Sequence, residues 1–398
     1  KIGIENAAPL IGDARIAIRL METALKIAHL TPSFFSKDSY IGGGERYVYN
    51  ICSANLLASQ ELGKTLQQTI ITIGPDARQF LHKEIPVVVL PSVSPLDGFM
   101  NPVSSYLWDA LKGYDLVHVH QSLTVFGAFC VAVAKSIGIT VITTDLGGGN
   151  EECMLAGKGL ELSDGVLSIS RYAESLIDSN FTGLKRVVIG PIDTDIFKPG
   201  VGVERARDQV LCVNRILPHK GIDRILEALP QDLNLTVVGQ IYDKKYFNLL
   251  QKLAKGKNVT FDSDADDPKL VNLYQHSGLF VQASTHVDCY GNKILKPELM
   301  GLTTLEAMSC GIPVVVSDAG SLPELVHSPS VGRVFSDRSD LEAIFAEYVL
   351  GSWPIGNQPS LSRESAVSRY SFSSVGHQIL GFYLEVLDNQ KGTHASHK

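Results

Sequence analysis

The run KPELMGLTTLEAMSCGIPVVVSDAGSLPELV, Lys296 to Val326, constrains this chain more than any other stretch. Glu298 and Glu306 lie on either side of Gly301, the second within an apolar stretch compatible with a helix. Gly311 stops that helix. Pro313 then opens Val314, Val315 and Val316, β-branched residues that suit a parallel strand buried on both faces. Gly320 and Glu324 mark a turn into a further helix. Two carboxylates and a glycine therefore sit on the loop and helix leading into a buried strand, at the sheet edge where α/β proteins dock ligands.

The string Glu298, Gly301, Glu306-Ala307-Met308, Gly311, Pro313-Val314, with Gly320 and Glu324 after it, resembles glycosyltransferase family 4. That family pattern runs E, two residues, G, four residues, then E-A-M-x-x-G-x-P-V. The resemblance implies a retaining, nucleotide-sugar-dependent enzyme of the GT-B fold. In that α/β architecture two Rossmann-like domains face each other across a cleft, and a C-terminal helix crosses back to the first. It extends over roughly residues 26–388 and is strongest from 210 to 326.

Length agrees with two domains, since 398 residues exceed one ordinary core. With 44% hydrophobic and 19% charged residues the composition is that of a folded α/β protein. The net charge of −7, with neither half basic, leaves no footprint for nucleic acid. Cys52, Cys130, Cys153, Cys212, Cys289 and Cys310 stand singly, without C-x-x-C or His/Cys spacing for zinc, so reduced thiols in a cytoplasmic protein are expected. No apolar run reaches the roughly 18 residues of a membrane span. Residues 1–20 lack the continuous apolar core of a signal peptide and read as an extension outside the catalytic fold or a remnant; both readings stay open.

Strands are expected at 26–30, 69–73, 87–90, 116–120, 141–144, 166–169 and 186–189, alternating with helical patterns as a parallel sheet requires. Gly42-Gly43-Gly44-Glu45 precedes a helix whose stripe is Val48, Ile51, Cys52 and Leu56. Such a glycine run brings bare N–H groups and a helix dipole to a phosphate. Family members set this loop against the donor's diphosphate and sugar, which implies Gly43 and Gly44 as donor contacts and Glu45 on the acceptor side. His118 and His120 share one face of a strand, His120 nearer its carboxyl end. The resemblance puts the second histidine of this H-x-H at the sugar, hence His120. Asp145 and Gly148, in the glycine-rich stretch after the next strand, occupy a place where family members contact acceptor or donor; a plain loop is the equal alternative.

Gly190-Pro191-Ile-Asp193-Thr-Asp195-Ile-Phe197-Lys-Pro199 resembles the family's interdomain hinge. Its D-x-D lies in that linker and is not expected to be a metal site. Arg215, at a strand end, and Lys220, just before a helix striped by Ile222, Ile225, Leu226 and Leu229, can converge on one diphosphate. The family writes this G-R-x-x-x-x-K-G; here Asn214 replaces the first glycine. Residues 283–296 are a long approach to Glu298 and are expected to be a lid or specificity element. Expected domain bounds are an N-terminal extension at 1–25, a first Rossmann-like domain at 26–192 and a hinge at 193–209. A donor domain at 210–360, a returning helix at 361–388 and a frayed tail at 389–398 follow.

The implied chemistry needs a leaving diphosphate neutralised as the glycosidic bond breaks. Arg215 and Lys220 are expected to do so from one domain, and Gly43 and Gly44 from the other. Glu298 is expected to bind hydroxyls of the transferred sugar and Glu306 the ribose, with N–H groups at Gly301 and Leu302 adding contacts; His120, Glu298, Arg215 and Lys220 form the expected catalytic set. A local alternative for Glu306 is a capping box with Thr303. The expected donor is UDP-glucose or a related UDP-hexose, ahead of GDP-mannose, and no cofactor or metal is required. The expected acceptor is a glycan or lipid-linked sugar of the cell envelope or exported polysaccharide, at the inner face of the plasma membrane, which Phe34, Phe35, Phe99 and Met100 would approach. Other readings are a glycosidase pair, a two-domain UDP-sugar epimerase and a non-catalytic sugar-binding protein.

Overall fold

The structure is a computed structural model that describes residues 24–34, 43–92, 101–147, 154–177, 181–353 and 359–395. The expectations placed on residues 1–20, Phe35, Phe99, Met100 and Gly148 lie outside these residues.

The first domain runs β1 (Leu25–Leu30), α1 (Gly43–Glu61), β2 (Leu66–Gly74), β3 (Arg78–His82), β4 (Ile85–Pro91) and α2 (Leu107–Ala110). It continues through β5 (Leu116–His120), α3 (Val125–Ser136), β6 (Thr140–Thr144), α4 (Met154–Leu162), β7 (Gly165–Ser168), α5 (Arg171–Ser175) and β8 (Leu184–Val187). The strands form an eight-stranded sheet in the order β3-β4-β2-β1-β5-β6-β7-β8. All neighbours are parallel except β3, which pairs antiparallel with β4. The sequence reading had no strand at Arg78–His82. Its exposed, mostly polar residues carry no buried-strand signal, and the short turn at Lys83-Glu84, both at positive φ, folds it back on β4.

The second domain runs β9 (Ala206–Val213), a single 3₁₀ turn (Pro218–Lys220), α6 (Ile222–Ala228), β10 (Asn234–Val238), α7 (Lys244–Leu253) and β11 (Val259–Asp262). Then come α8 (Asp267–His276), β12 (Ser277–Gln282), α9 (Leu302–Ser309), β13 (Val314–Ser317), a 3₁₀ turn (Leu322–Leu325), β14 (Gly332–Phe335) and α10 (Arg338–Val349). Its six strands are parallel in the order β11-β10-β9-β12-β13-β14. This is the Rossmann order, with the switch point between β9 and β12. Val314, Val315 and Val316 are fully buried, as a central parallel strand requires.

Two corrections follow at the C-terminus. The single returning helix is two, α11 (Pro359–Tyr370) and α12 (Phe372–Ala395), broken at Ser371, which bridges to Ile192 of the linker. α11 packs on α9 of the second domain and α12 on α1 of the first. The expected frayed tail is instead helical through Ala395, and α12 carries no proline to end it earlier. Phe34 also departs from its expected role: it is buried against Val48, Cys52 and Ile70, edge-on to His82, and cannot reach a membrane.

Candidate active site

Glycines shape the backbone around Glu298. Gly301, at φ 79°, is the residue before α9, and Gly320, at φ 60°, lies beneath the loop. A Cβ on Gly320 would stand 2.2 Å from the Glu298 carbonyl oxygen, so only glycine lets the two segments meet. The Glu298 carbonyl in turn accepts from the Ser321 N–H at 3.1 Å. This close approach presents the Glu298 side chain to β12 and to the turn before α6.

Its carboxylate is densely held. One oxygen accepts from Lys220 Nζ at 3.0 Å and from Gln282 Nε2 at 2.6 Å; the other accepts from the Gly301 N–H at 3.2 Å. Burial would push this acid upward, but Lys220, the Gly301 N–H and Arg215 hold it below the ordinary carboxylate value. Lys220 is itself buried and also donates to the Pro297 carbonyl at 3.1 Å. Gln282 was not singled out in the sequence. It is the polar end of the otherwise apolar strand Leu279–Gln282, which was its one available signal. Its carbonyl oxygen accepts from the Thr304 hydroxyl, so the amide bridges α9 to Glu298.

Glu306 is placed differently. α9 begins at Leu302, so the carboxylate lies beyond the first turn and no capping box with Thr303 forms. It is buried, accepts from the Tyr274 hydroxyl at 2.8 Å and faces the charge of Arg46 on α1. Burial raises it to about 7, with Arg46 and Tyr274 opposing. Two carboxylates eight positions apart in sequence thus differ in charge state near neutrality, by environment alone. Arg46 reaches across from the first domain and pairs with Asp267 at the start of α8. Neither Arg46 nor Tyr274 carried a motif.

The N-terminus of α1 stands opposite α9. A Cβ on Gly43 would lie 3.8 Å from Leu302, and one on Gly44 would lie 3.4 Å from the Gln121 amide. The expected donor contacts Gly43, Gly44, Gly301, Leu302, Glu298 and Lys220 are therefore brought to one place between the domains. Arg215 is exposed, its guanidinium 5.7 Å from the Tyr242 ring centre. Glu45 is buried near the start of α1. Asp145 pairs with Lys296 at 2.8 Å and accepts from the Gly147 N–H at 3.1 Å.

His120 ends β5 as expected, and its ring is fully buried. Its Nε2 lies 3.2 Å from His29 Nδ1, within a buried group that also includes His118. The D-x-D is a turn: Asp193 accepts from the N–H groups of Asp195 and Ile196. After β11, Asp262 pairs with Lys269 and Asp266 caps α8. Residues 283–296 form a small hairpin closed by the Val287–Lys293 bridge and organised around Asp288. Among the described residues, Cys52, Cys130, Cys212, Cys289 and Cys310 are free thiols. No described helix is long and apolar enough to cross a membrane.

Residues 193–348 match the family Glycosyl transferases group 1. The chain is 30% identical over 205 residues to a GDP-mannose-dependent alpha-(1-6)-phosphatidylinositol monomannoside mannosyltransferase of Mycolicibacterium smegmatis, covering 46% of this chain and 51% of that one. It therefore spans about half the length of that curated relative. An uncharacterized glycosyltransferase of Methanocaldococcus jannaschii is 24% identical over 308 residues, 68% of this chain and 75% of the other. Among solved structures, sucrose-phosphate synthase from Thermosynechococcus elongatus superposes with a TM-score of 0.71 at 19% identity, covering 92% of this chain and 100% of that chain. Anabaena HepE in complex with UDP and glucose gives 0.67 at 18%, covering 90% and 99%. The fold is GT-B, two Rossmann-type domains, and the group 1 match falls on the second of them.

Proposed function

We propose that this chain is a retaining hexosyltransferase of the family 4 type, moving a sugar from a nucleotide diphosphate onto a glycan or lipid-linked acceptor. The observation that carries the reading is the convergence of Lys220, Gln282 and the Gly301 N–H on Glu298, opposite the glycine start of α1. An anionic leaving group fits between the cation-lined donor side and the bare N–H groups at Gly43 and Gly44. Glu298, held ionised, accepts from hydroxyls of the transferred sugar, and Glu306 accepts from ribose hydroxyls. Arg215, exposed beside Tyr242, is free to swing onto the diphosphate. In front-face substitution the departing phosphate takes the acceptor's proton, so the reaction needs no dedicated base and no metal. Such chemistry suits a protein at the cytoplasmic face of the plasma membrane, building envelope or exported polysaccharide.

UDP-glucose is the donor of the sequence reading. GDP-mannose is the second reading, favoured by curated relatives from Mycolicibacterium smegmatis and Corynebacterium glutamicum that are named for it. The full chain incubated with each donor and an acceptor glycolipid is expected to release nucleotide from one of them, unchanged in excess EDTA, with an α-linked product by NMR. Release that stops in EDTA and returns with magnesium would overturn the metal-free mechanism. A β-linked product would overturn retention, and an epimerised sugar without transfer would favour the epimerase.

A further inference from the structure

His29, His118 and His120 project from neighbouring parallel strands onto one face of the first sheet: His29 is opposite His118 in the β1–β5 register, and His120 is two residues further. All three are fully buried. The surrounding hydrogen bonds determine where each proton sits. Gln68 Nε2 donates to the Cys52 carbonyl at 2.8 Å, which turns the Gln68 carbonyl oxygen inward. That oxygen accepts from Asn55 Nδ2 at 3.1 Å, and its other neighbour is His29 Nε2 at 3.0 Å. An amide oxygen only accepts, so His29 carries its proton on Nε2. Burial lowers His29 to about 4, so the ring is neutral near pH 7 and its Nδ1 holds a lone pair. That lone pair is 3.2 Å from His120 Nε2, which must therefore be the donor. His120 Nδ1 is left as a bare acceptor, buried and without a partner among the described residues.

The same reasoning completes His118. The Thr144 hydroxyl donates to the Leu167 carbonyl at 2.8 Å, so it accepts from His118 Nε2–H, also at 2.8 Å. His118 Nδ1 then accepts from the Tyr383 hydroxyl at 2.6 Å. The three rings lie within ligand reach of a common ion. The lone pairs of His29 and His118 are already filled by N–H and O–H donors, however, which separates this cluster from a metal-ligand set.

We propose that His29, fixed by Gln68 and Asn55, is a positioning residue that locks His120 in the Nε2–H tautomer and so keeps Nδ1 available to accept from a hydroxyl of the transferred sugar. His120 is the last residue of β5, at the carboxyl end of the sheet where α/β ligands bind. Gln121 follows it at φ 64°, a left-handed conformation that side chains other than glycine rarely adopt away from functional turns. The Gln121 side chain in turn approaches Gly44 at the start of α1. The tautomer lock stands on the hydrogen-bond chain alone; the sugar hydroxyl rests on the transferase reading.

The two parts separate by experiment. Long-range ¹H–¹⁵N spectra of the ¹⁵N-labelled full chain at pH 7 are expected to show neutral His29, His118 and His120, each with its proton on Nε2. A proton on His120 Nδ1 would overturn the lock, as would a shift of all three rings on titration with zinc chloride. His29→Leu and Gln68→Leu are expected to leave His120 in mixed tautomers. His29→Asn, which keeps an acceptor near the position of Nδ1, restores one tautomer even if His29→Leu folds poorly. With whichever of UDP-glucose and GDP-mannose the parent turns over, kcat of His29→Leu is expected to fall about tenfold or more, with KM for the donor held and partial recovery in His29→Asn. Equal kcat in parent and His29→Leu, with mixed tautomers seen, would overturn the contribution of Nδ1 to transfer. No turnover of either donor by the parent counts against the transferase reading and removes the sugar hydroxyl with it, while the lock is still decided by the spectra.

Discussion

Glu306 shows how far a single side chain's chemistry is set by its neighbours. A carboxyl raised from 4.5 to about 7 binds more protons in the folded than in the unfolded chain between those values. Its stabilising contribution is therefore complete below pH 4.5 and is lost as pH rises through 7, the reverse of an ion-paired acid. Thermal melts from pH 5 to 8 are expected to show the parent losing stability relative to Glu306→Gln as pH rises. If the ionised form accepts from the ribose, UDP and GDP affinity should also rise over that interval. Proton competition limits the gain to about tenfold between pH 6 and 8, and Glu306→Gln should lack it. Calorimetry on both proteins checks this, and equal pH slopes would remove the titrating carboxyl from the nucleotide site.

At the scale of elements, the loop from Lys296 to Gly301 depends on glycines whose loss has different costs. Gly63 and Gly320 have similar left-handed backbones, φ 63° and 60°, but a Cβ on Gly63 meets nothing within 4 Å while one on Gly320 strikes the Glu298 carbonyl. Gly63→Ala should cost only the left-handed backbone, about 1–2 kcal/mol. Gly320→Ala adds a backbone clash directly beneath Glu298. It should melt lower than Gly63→Ala and lose at least about tenfold in donor turnover, because displacing a positioned group by about an ångström costs up to 10²-fold. Matching melts and turnover in the two variants would show that the loop absorbs the methyl elsewhere. The 3₁₀ turn at Leu322–Leu325, where an α-helix was expected, belongs to the same account. It is too short to bury a helical face and instead projects Glu324 toward the first domain.

For the whole molecule, polar ties join the domains beside an apolar cluster that includes residues of both, Tyr47 and Ile51 with Leu299 and Leu302 among them. The Glu324 carboxylate accepts from the N–H groups of Arg171 and Tyr172 at 2.9 and 2.8 Å, at the start of α5. Tyr172 donates to the Leu295 carbonyl, and Lys296 pairs with Asp145, both side chains largely shielded. These ties converge on the end of the 283–296 hairpin, next to Glu298, so closure and the proposed donor site share a segment. Polar ties of this kind open more readily than an apolar interface. Glu324→Ala with Lys296→Ala is expected to enlarge the radius of gyration in solution scattering. Saturating UDP or GDP should reverse the change, and donor KM should rise about threefold or more. Scattering curves identical to the parent with and without nucleotide would show that these ties do not hold the domains.

The sequence by itself determined the buried parallel strands of both domains and the loop that carries Glu298. Buried β-branched strands, helix stripes and the Glu298-Gly301-Glu306 spacing are local patterns that few other folds satisfy. Only the tertiary structure decided which groups meet across the chain. Gln282 on Glu298, Arg46 beside Glu306, and Gln68 fixing His29 and through it His120 are contacts between residues 16 to 260 positions apart. No periodicity encodes such pairings, because hydrogen bonds and charge shifts depend on distances and burial that exist only once the sheets and their helices have packed.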